Sequence, residues 1–217
     1  MYFQEEPEHI TILRRQLKRL VEEEMPRELV RQWDRERHMP RDAIAKMVDL
    51  GVCGLTIDEE YGGLGLDMPT YCMVMEKLAG GCTSTAMTAH MHSTVMRFIN
   101  ALGTDQQKCR YFSEVVKQGK LFGSWGSEPE SRGGSVHRQT TIARSGEGYV
   151  IDGEKHFCTM AGGAHRYMIH CSLEGADPEQ ALLLALAPHG NPGLNIIGDW
   201  NTLGMRATIS PSVTKKA

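Results

Sequence analysis

The chain has 217 residues, 41% hydrophobic and 24% charged, a balance that supports folded cores and excludes a disordered or low-complexity protein. Its formal net charge is −3 with a pI near 6.3, which leaves no broad positive field to hold nucleic acid or an anionic membrane surface. Six cysteines, at 53, 72, 82, 109, 158 and 171, lack C-x-x-C pairing and sit in apolar patterns, which predicts buried reduced thiols in a cytoplasmic chain.

No run reaches the roughly 18 to 20 apolar residues that span a bilayer. The start, with Glu5, Glu6 and Glu8, lacks the basic-then-apolar order of a signal peptide. Tyr2-Phe3-Gln4 resembles the remnant of a protease-cleavage tag and is set aside. From residue 8 to 33, Ile12, Leu13, Leu17, Leu20 and Val21 recur at three and four, which predicts an amphipathic helix kinked or split at Pro26. Pro40 opens a second helix with Ile44, Met47 and Val48 inward and Gly51 as its stop. Tyr61-Gly-Gly-Leu-Gly65 reads as a tight turn between helices, in preference to a ligand-contacting loop.

Two further helices follow over residues 70–78 and 84–102, separated by Gly80-Gly81. The second carries Met87, His90, Met91, His92 and Met96, a flexible and polarisable set that suits either a core or a surface for a varied apolar shape. His90 and His92, two apart, fall on different faces of a helix, which argues against a metal pair, and no metal site is expected. Thr104 with Gln107 forms a capping box for a helix over 104–116 that Gly119 ends. Beyond Leu121 the spacing changes to short strands, at 121–126, 140–144, 149–151, 167–171, 181–187 and 194–197, with Gly146-Glu-Gly148 as a hairpin signal. The boundary therefore falls near Gly119, and the fold class is α+β: an all-α helical domain over 1–119, then a small β-barrel domain over 120–217.

The stretch from 122 to 164 carries the chemistry. Small and hydroxyl residues at the ends of two short apolar strands, Gly126-Ser127 and Cys158-Thr159, let backbone amides approach a flat, polar-edged ligand. Here Gly126-Ser127-Glu128-Pro129, Gly133-Gly134-Ser135, Asp152-Gly153-Glu154-Lys155 and Phe157-Cys158-Thr159 resemble the FAD-binding signatures of acyl-CoA dehydrogenases. Residues 50–65 and 103–111 are similar to that family's amino-terminal helical domain, and Leu203-Gly-Met-Arg206-Ala-Thr208 to the turn late in its middle domain. These patches stand in family order over about residues 40 to 213, and together they are far more specific than any one of them.

The resemblance implies FAD as cofactor, with an acyl-CoA or other small-molecule substrate, an electron acceptor and a homo-oligomer as partners. By family position Gly126 and Ser127 meet the flavin pyrimidine edge, Ser127 standing where threonine is common. Phe157 stands for the aromatic on the flavin face, usually tryptophan; Thr159 matches the hydroxyl beside N5, and Cys158 lends its backbone between them. Trp125 reads equally as cofactor contact or core. Ser135 matches a serine that contacts the substrate's carrier or a pyrophosphate, and Met91 and His92 lie on the helix that borders the family's acyl cavity.

Residues 130–134 are longer and more charged than the family's small-residue loop, and Arg132 suits either a phosphate or a surface pair with Glu130. Arg206 reads as a structural anchor. In the family the catalytic base, a carboxylate, lies in a carboxy-terminal helical domain that the 217 residues do not include, and Glu128 reads as structural. The expectation is a fragment without a catalytic residue of its own, with weak FAD binding and slow or no turnover. Two other readings stand beside it: a flavin monooxygenase or nitroalkane oxidase on the same scaffold, and a non-catalytic binding or assembly module.

Overall fold

The computed structural model describes residues 7–129, 138–177 and 181–215. Helix α1 (Glu8–Glu24) buries Ile10, Leu13, Leu17 and Leu20 on one stripe, while Ile12 is exposed. The chain splits at Pro26, which precedes α2 (Arg27–Glu36), because a proline ring can neither donate nor fit inside a continuing helix. Helix α3 (Arg41–Asp49) follows Pro40, and Gly51 at φ 74° ends it in the left-handed conformation that glycine adopts without cost.

The glycine-rich stretch at 61–65 is a tight turn, as expected: a Cβ on Gly63 would lie 2.1 Å from the Ile57 carbonyl oxygen. Helix α4 (Met68–Gly81) is capped by Asp67, whose carboxylate accepts from Thr70 N at 3.0 Å, and α5 (Thr83–Leu102) starts after Cys82. The break therefore lies at Cys82 and not at Gly80-Gly81. Gly81 is helical, and it is glycine because α1 leaves no room for a side chain there: a Cβ would meet Val21 at 2.7 Å. Helix α6 (Asp105–Gln118) carries the predicted capping box, Thr104 Oγ1 and Gln107 Oε1 each accepting from the other residue's N–H, and closes on Gly119 at φ 63°.

Strands follow: β1 (Phe122–Trp125), β2 (Thr141–Ser145), β3 (Gly148–Lys155), β4 (Arg166–Leu173), β5 (Leu182–Pro188), β6 (Leu194–Ile196) and β7 (Val213–Lys215). Both β1 and β2 run parallel to β4 along one of its sides, at Phe122–Trp125 and Thr141–Ile142 respectively, while β5 pairs its other side antiparallel. The predicted hairpin joins β2 to β3, and β3 then changes partner: through Asp152 it pairs β2, and from Gly153 onward it pairs β7, which in turn pairs β6. This curls the sheet into a half-barrel. Strand β7 has no counterpart among the expected strands, since three residues ending in Lys215 carry too little apolar alternation to read as one.

The helical domain meets the sheet along α5. His92 on α5 is fully buried; its Nδ1 accepts from Phe122 N of β1 at 3.0 Å, so Nε2 carries the proton and donates to the Cys53 carbonyl at 2.9 Å. All six cysteines are free, but Cys72 and Cys109 are exposed, which corrects the expectation that every thiol is buried: both sit on outward helix faces that the apolar pattern did not separate from the core. Among the described residues no helix is long and apolar enough to cross a membrane.

Gly153 makes the partner change possible. It sits at φ 147°, and a Cβ there would lie 2.6 Å from both Cα and Oγ1 of Thr140. Gly153→Ala is expected to destabilise the chain by about 2–3 kcal/mol through overpacking and backbone strain. An unchanged urea midpoint would contradict this.

Candidate functional site

The ends of β1 and β3 come together under α5 and line an open cavity of about 460 Å³. Gly126 and Ser127 follow β1, Phe157 and Thr159 follow β3, and His170 comes from the middle of β4. Met87, Met91, Thr94 and Phe98 descend from α5, and the segment at 200–210 closes the remaining side.

Four of the six residues expected to hold a cofactor thus line one cavity: Gly126, Ser127, Phe157 and Thr159. Trp125 and Cys158 lie behind the lining. Side chains alternate along a strand, so with Ser124 and Gly126 on the cavity, Trp125 faces the core, stacked on Tyr167 at 3.9 Å. Its indole N–H donates to the Thr159 carbonyl at 3.1 Å, which braces the cavity floor from beneath. Cys158 is fully buried, its thiol pushed up by burial, and its backbone N–H is spent on the Pro211 carbonyl. Of the substrate residues, Met91 lines the cavity. His92 does not, because both its nitrogens are committed to the backbone, and burial pushes it down to about 4, so it is a neutral core histidine. Ser135, with Glu130 and Arg132, lies outside the described residues.

Three elements set the electrostatics. Glu128 is buried, and burial alone would raise its pKa. The Lys155 ammonium at 2.6 Å and the N–H groups of Thr140 and Gln139, each at 2.9 Å, outweigh that and hold it at about 2. On the far wall a chain of hydroxyls runs from Thr159 to Ser210 at 3.0 Å, to Thr208 at 2.7 Å, and on to the Met205 carbonyl at 2.9 Å. A carbonyl only accepts, so with the Thr208 proton placed there each hydroxyl donates toward Met205, and Thr159 presents lone pairs to the cavity. His170 packs edge-on against Phe98 at 5.7 Å. Burial, then the charges of Arg138 and Lys155, push it down to about 4, and its buried Nε2 has no hydrogen-bond partner among the described residues.

The expected anchor role of Arg206 agrees with its geometry. It grips Asp34 of α2 through its backbone N–H, Nε and Nη2 at 2.8, 2.9 and 2.7 Å, which fixes the segment that carries Thr208 and Ser210. Sequence reasoning missed Thr208, Ser210 and His170. The first two belong to an alternation of hydroxyls at 208, 210 and 212, and His170 is a polar residue within an apolar strand; both were readable signals.

The pKa directions fix a pH dependence. Glu128, held at about 2 against an ordinary 4.5, contributes stability that is present above pH 4.5 and lost as pH falls toward 2. His92, held at about 4 against 6.5, contributes stability that is present above pH 6.5 and lost as pH falls through 4. Glu128→Gln, which leaves Lys155 buried without its counter-charge, is expected to cost about 3 kcal/mol at neutral pH. Urea unfolding across pH should show parent and variant converging between pH 4.5 and 2, where a constant difference would refute the assignment.

The description "Acyl-CoA dehydrogenase, N-terminal domain" matches residues 7–119, and "Acyl-CoA dehydrogenase, middle domain" matches residues 123–216. The chain is 29% identical over 201 residues to a short-chain specific acyl-CoA dehydrogenase of Clostridium acetobutylicum, covering 86% of this chain and 53% of that one. It is 30% identical over 174 residues to a dibenzothiophene monooxygenase of Rhodococcus erythropolis, covering 78% of this chain and 42% of that one. Its fold superposes on butyryl-CoA dehydrogenase from Megasphaera elsdenii with a TM-score of 0.86 at 21% identity, over 100% of this chain and 57% of the other. The chain therefore spans about half the length of the curated relatives it matches. With both domain descriptions matched in order and the strand ends meeting under the fifth helix, this chain belongs to the acyl-CoA dehydrogenase family.

Proposed function

We propose that the cavity under α5 holds the isoalloxazine of FAD and that the whole protein dehydrogenates an acyl-CoA thioester between its α and β carbons, as a cytoplasmic homo-oligomer that passes electrons to an acceptor. One observation carries the reading: the Ser127 and Thr159 hydroxyls, from two different strand ends, open on a single cavity with an apolar wall. FAD, when bound, supplies an acceptor for a hydride and a ring that takes up negative charge on reduction. The donor set fits it. Gly126 leaves the backbone unobstructed, Ser127 offers a hydroxyl beside it, and Thr159, its proton committed to Ser210, offers lone pairs to an N–H of the bound ring.

The residues of this chain bind and orient. Met87, Met91 and Phe98 give the acyl chain an adaptable apolar wall and keep water from the reacting carbons. Among the described residues none that line the cavity is a carboxylate, and neutral His170 is a weak base, so none of them suits the removal of the α proton. The exposed Leu102, Leu182, Leu183 and Leu203 support association with further protein surface.

Titrating FAD into the purified chain and following quenching of flavin fluorescence tests the reading. Saturable binding is expected, with Thr159→Val raising Kd about tenfold and Ser127→Ala several-fold. Turnover of acyl-CoAs by the loaded chain should be slow or absent. Binding that neither substitution alters would remove the flavin from this cavity, and brisk turnover would refute the account of the base. A flavin monooxygenase is the second reading, favoured by the polar His170 in the wall that would face an acyl chain; oxygen uptake by the reduced, loaded chain without another acceptor would select it.

A further inference from the structure

A second polar cavity, of about 400 Å³, shares no lining residue with the first. It opens where the start of α3, the end of α6, the turn before β4 and the end of β5 meet, and Arg41, Glu114, Lys120, His165, Arg166 and His189 contribute to it. The family reading gives it no role.

Charge and protonation make this lining a set of donors. Among the described residues Glu114 is its one carboxylate, and both oxygens are taken at 2.7 Å by the two-pronged Arg166 guanidinium. Lys120, 3.5 Å from Glu114, and Arg41 remain as positive charge in excess. The chain as a whole carries −3, so this excess is local and not a reflection of composition.

The two histidines have their tautomers fixed from behind. Leu121 N–H donates to His165 Nδ1 at 3.0 Å, so in the neutral ring the proton sits on Nε2. The hydroxyl of fully buried Tyr167 accepts from Gly162 N at 3.0 Å and lies 2.9 Å from His189 Nδ1. Were Nδ1 the donor, the buried tyrosine proton would have no acceptor. Tyr167 therefore donates, and His189 too carries its proton on Nε2. Each imidazole thus offers an N–H without having to be protonated.

We propose that this cavity binds the phosphate group of a small ligand, Lys120 and Arg41 supplying charge and the Nε2–H groups of His165 and His189 supplying directed hydrogen bonds. A phosphate, with several acceptor oxygens and up to two charges, matches a lining whose free side-chain polar groups are donors once Glu114 is neutralised by Arg166. The source of the phosphate is either the free ion or a nucleotide.

Imidazole ¹⁵N resonances of the full chain, followed during titration with inorganic phosphate at constant ionic strength, test the proposal. His165 and His189 are expected to shift together with one saturating Kd. Lys120→Met should raise that Kd about tenfold, and His189→Ala, at an exposed position, should raise it several-fold. A parallel titration with AMP assigns the source: tighter binding than phosphate points to a nucleotide, equal binding to the free ion, and both support the site. Shifts that sodium chloride reproduces at the same ionic strength overturn the proposal, as does unaltered phosphate affinity in both variants.

Discussion

The cavity depends on one buried carboxylate. Glu128 accepts from Lys155 at the end of β3 and from Gln139 and Thr140 at the start of β2, while its own backbone continues β1. Three chain segments thereby converge on two oxygens. The same junction is closed by His156 N donating to the Ser127 carbonyl at 2.9 Å. Burying an ion pair yields little net stability against an apolar alternative, since desolvation consumes most of the attraction, but leaving either partner alone is costly. What the pair supplies is register. Ser127 and Thr159 open on one space because neither strand end can slide without leaving a charge unpaired.

A second constraint sets the roof over that floor. Cys53 O and Phe122 N are buried backbone groups facing the same gap, and a buried group without a partner is expensive. Neutral His92 is the side chain that donates to one and accepts from the other, which explains a histidine where a hydrophobic residue would otherwise pack. Arg166 grips Glu114 of α6 in a bidentate pair, and Arg206 ties the 200–210 segment to Asp34 of α2, its Nε and Nη2 both meeting Oδ2 and its backbone N–H meeting Oδ1. On α5 itself the bond from Phe122 N–H to His92 ties the helix to β1, and Met87, Met91 and Phe98 of the same helix line the cavity above the strand ends.

Local signals were legible where the physics is local. Pro26, the Thr104 and Gln107 box, Gly119 and the hairpin glycines each act within a few residues of themselves, and each element they predict is present. Gly81 was misread because its reason lies in α1, sixty residues earlier in the chain. His92 was placed on the substrate for a similar cause: a histidine beside methionines gives no sign that two distant backbone groups await it. Trp125 and Cys158 share their signature stretches with cavity residues, and only the alternation of a strand separates those that face the cavity from those that support it. Family position pointed to stretches whose residues line one cavity, and period two decided which of them touch the space.

The chemistry the cavity can perform follows from where its charges are spent. Glu128 stands one residue from Ser127, close enough in sequence to invite a catalytic role. Yet a carboxylate held at about 2 with both oxygens occupied by donors has little affinity for a proton. Raising its basicity would require withdrawing Lys155 and two backbone N–H groups, and that would release the strand ends which form the cavity. The residue that builds the floor is therefore unable to act as the base above it. Its carboxylate is spent on holding the strand ends, which leaves them free to be rigid.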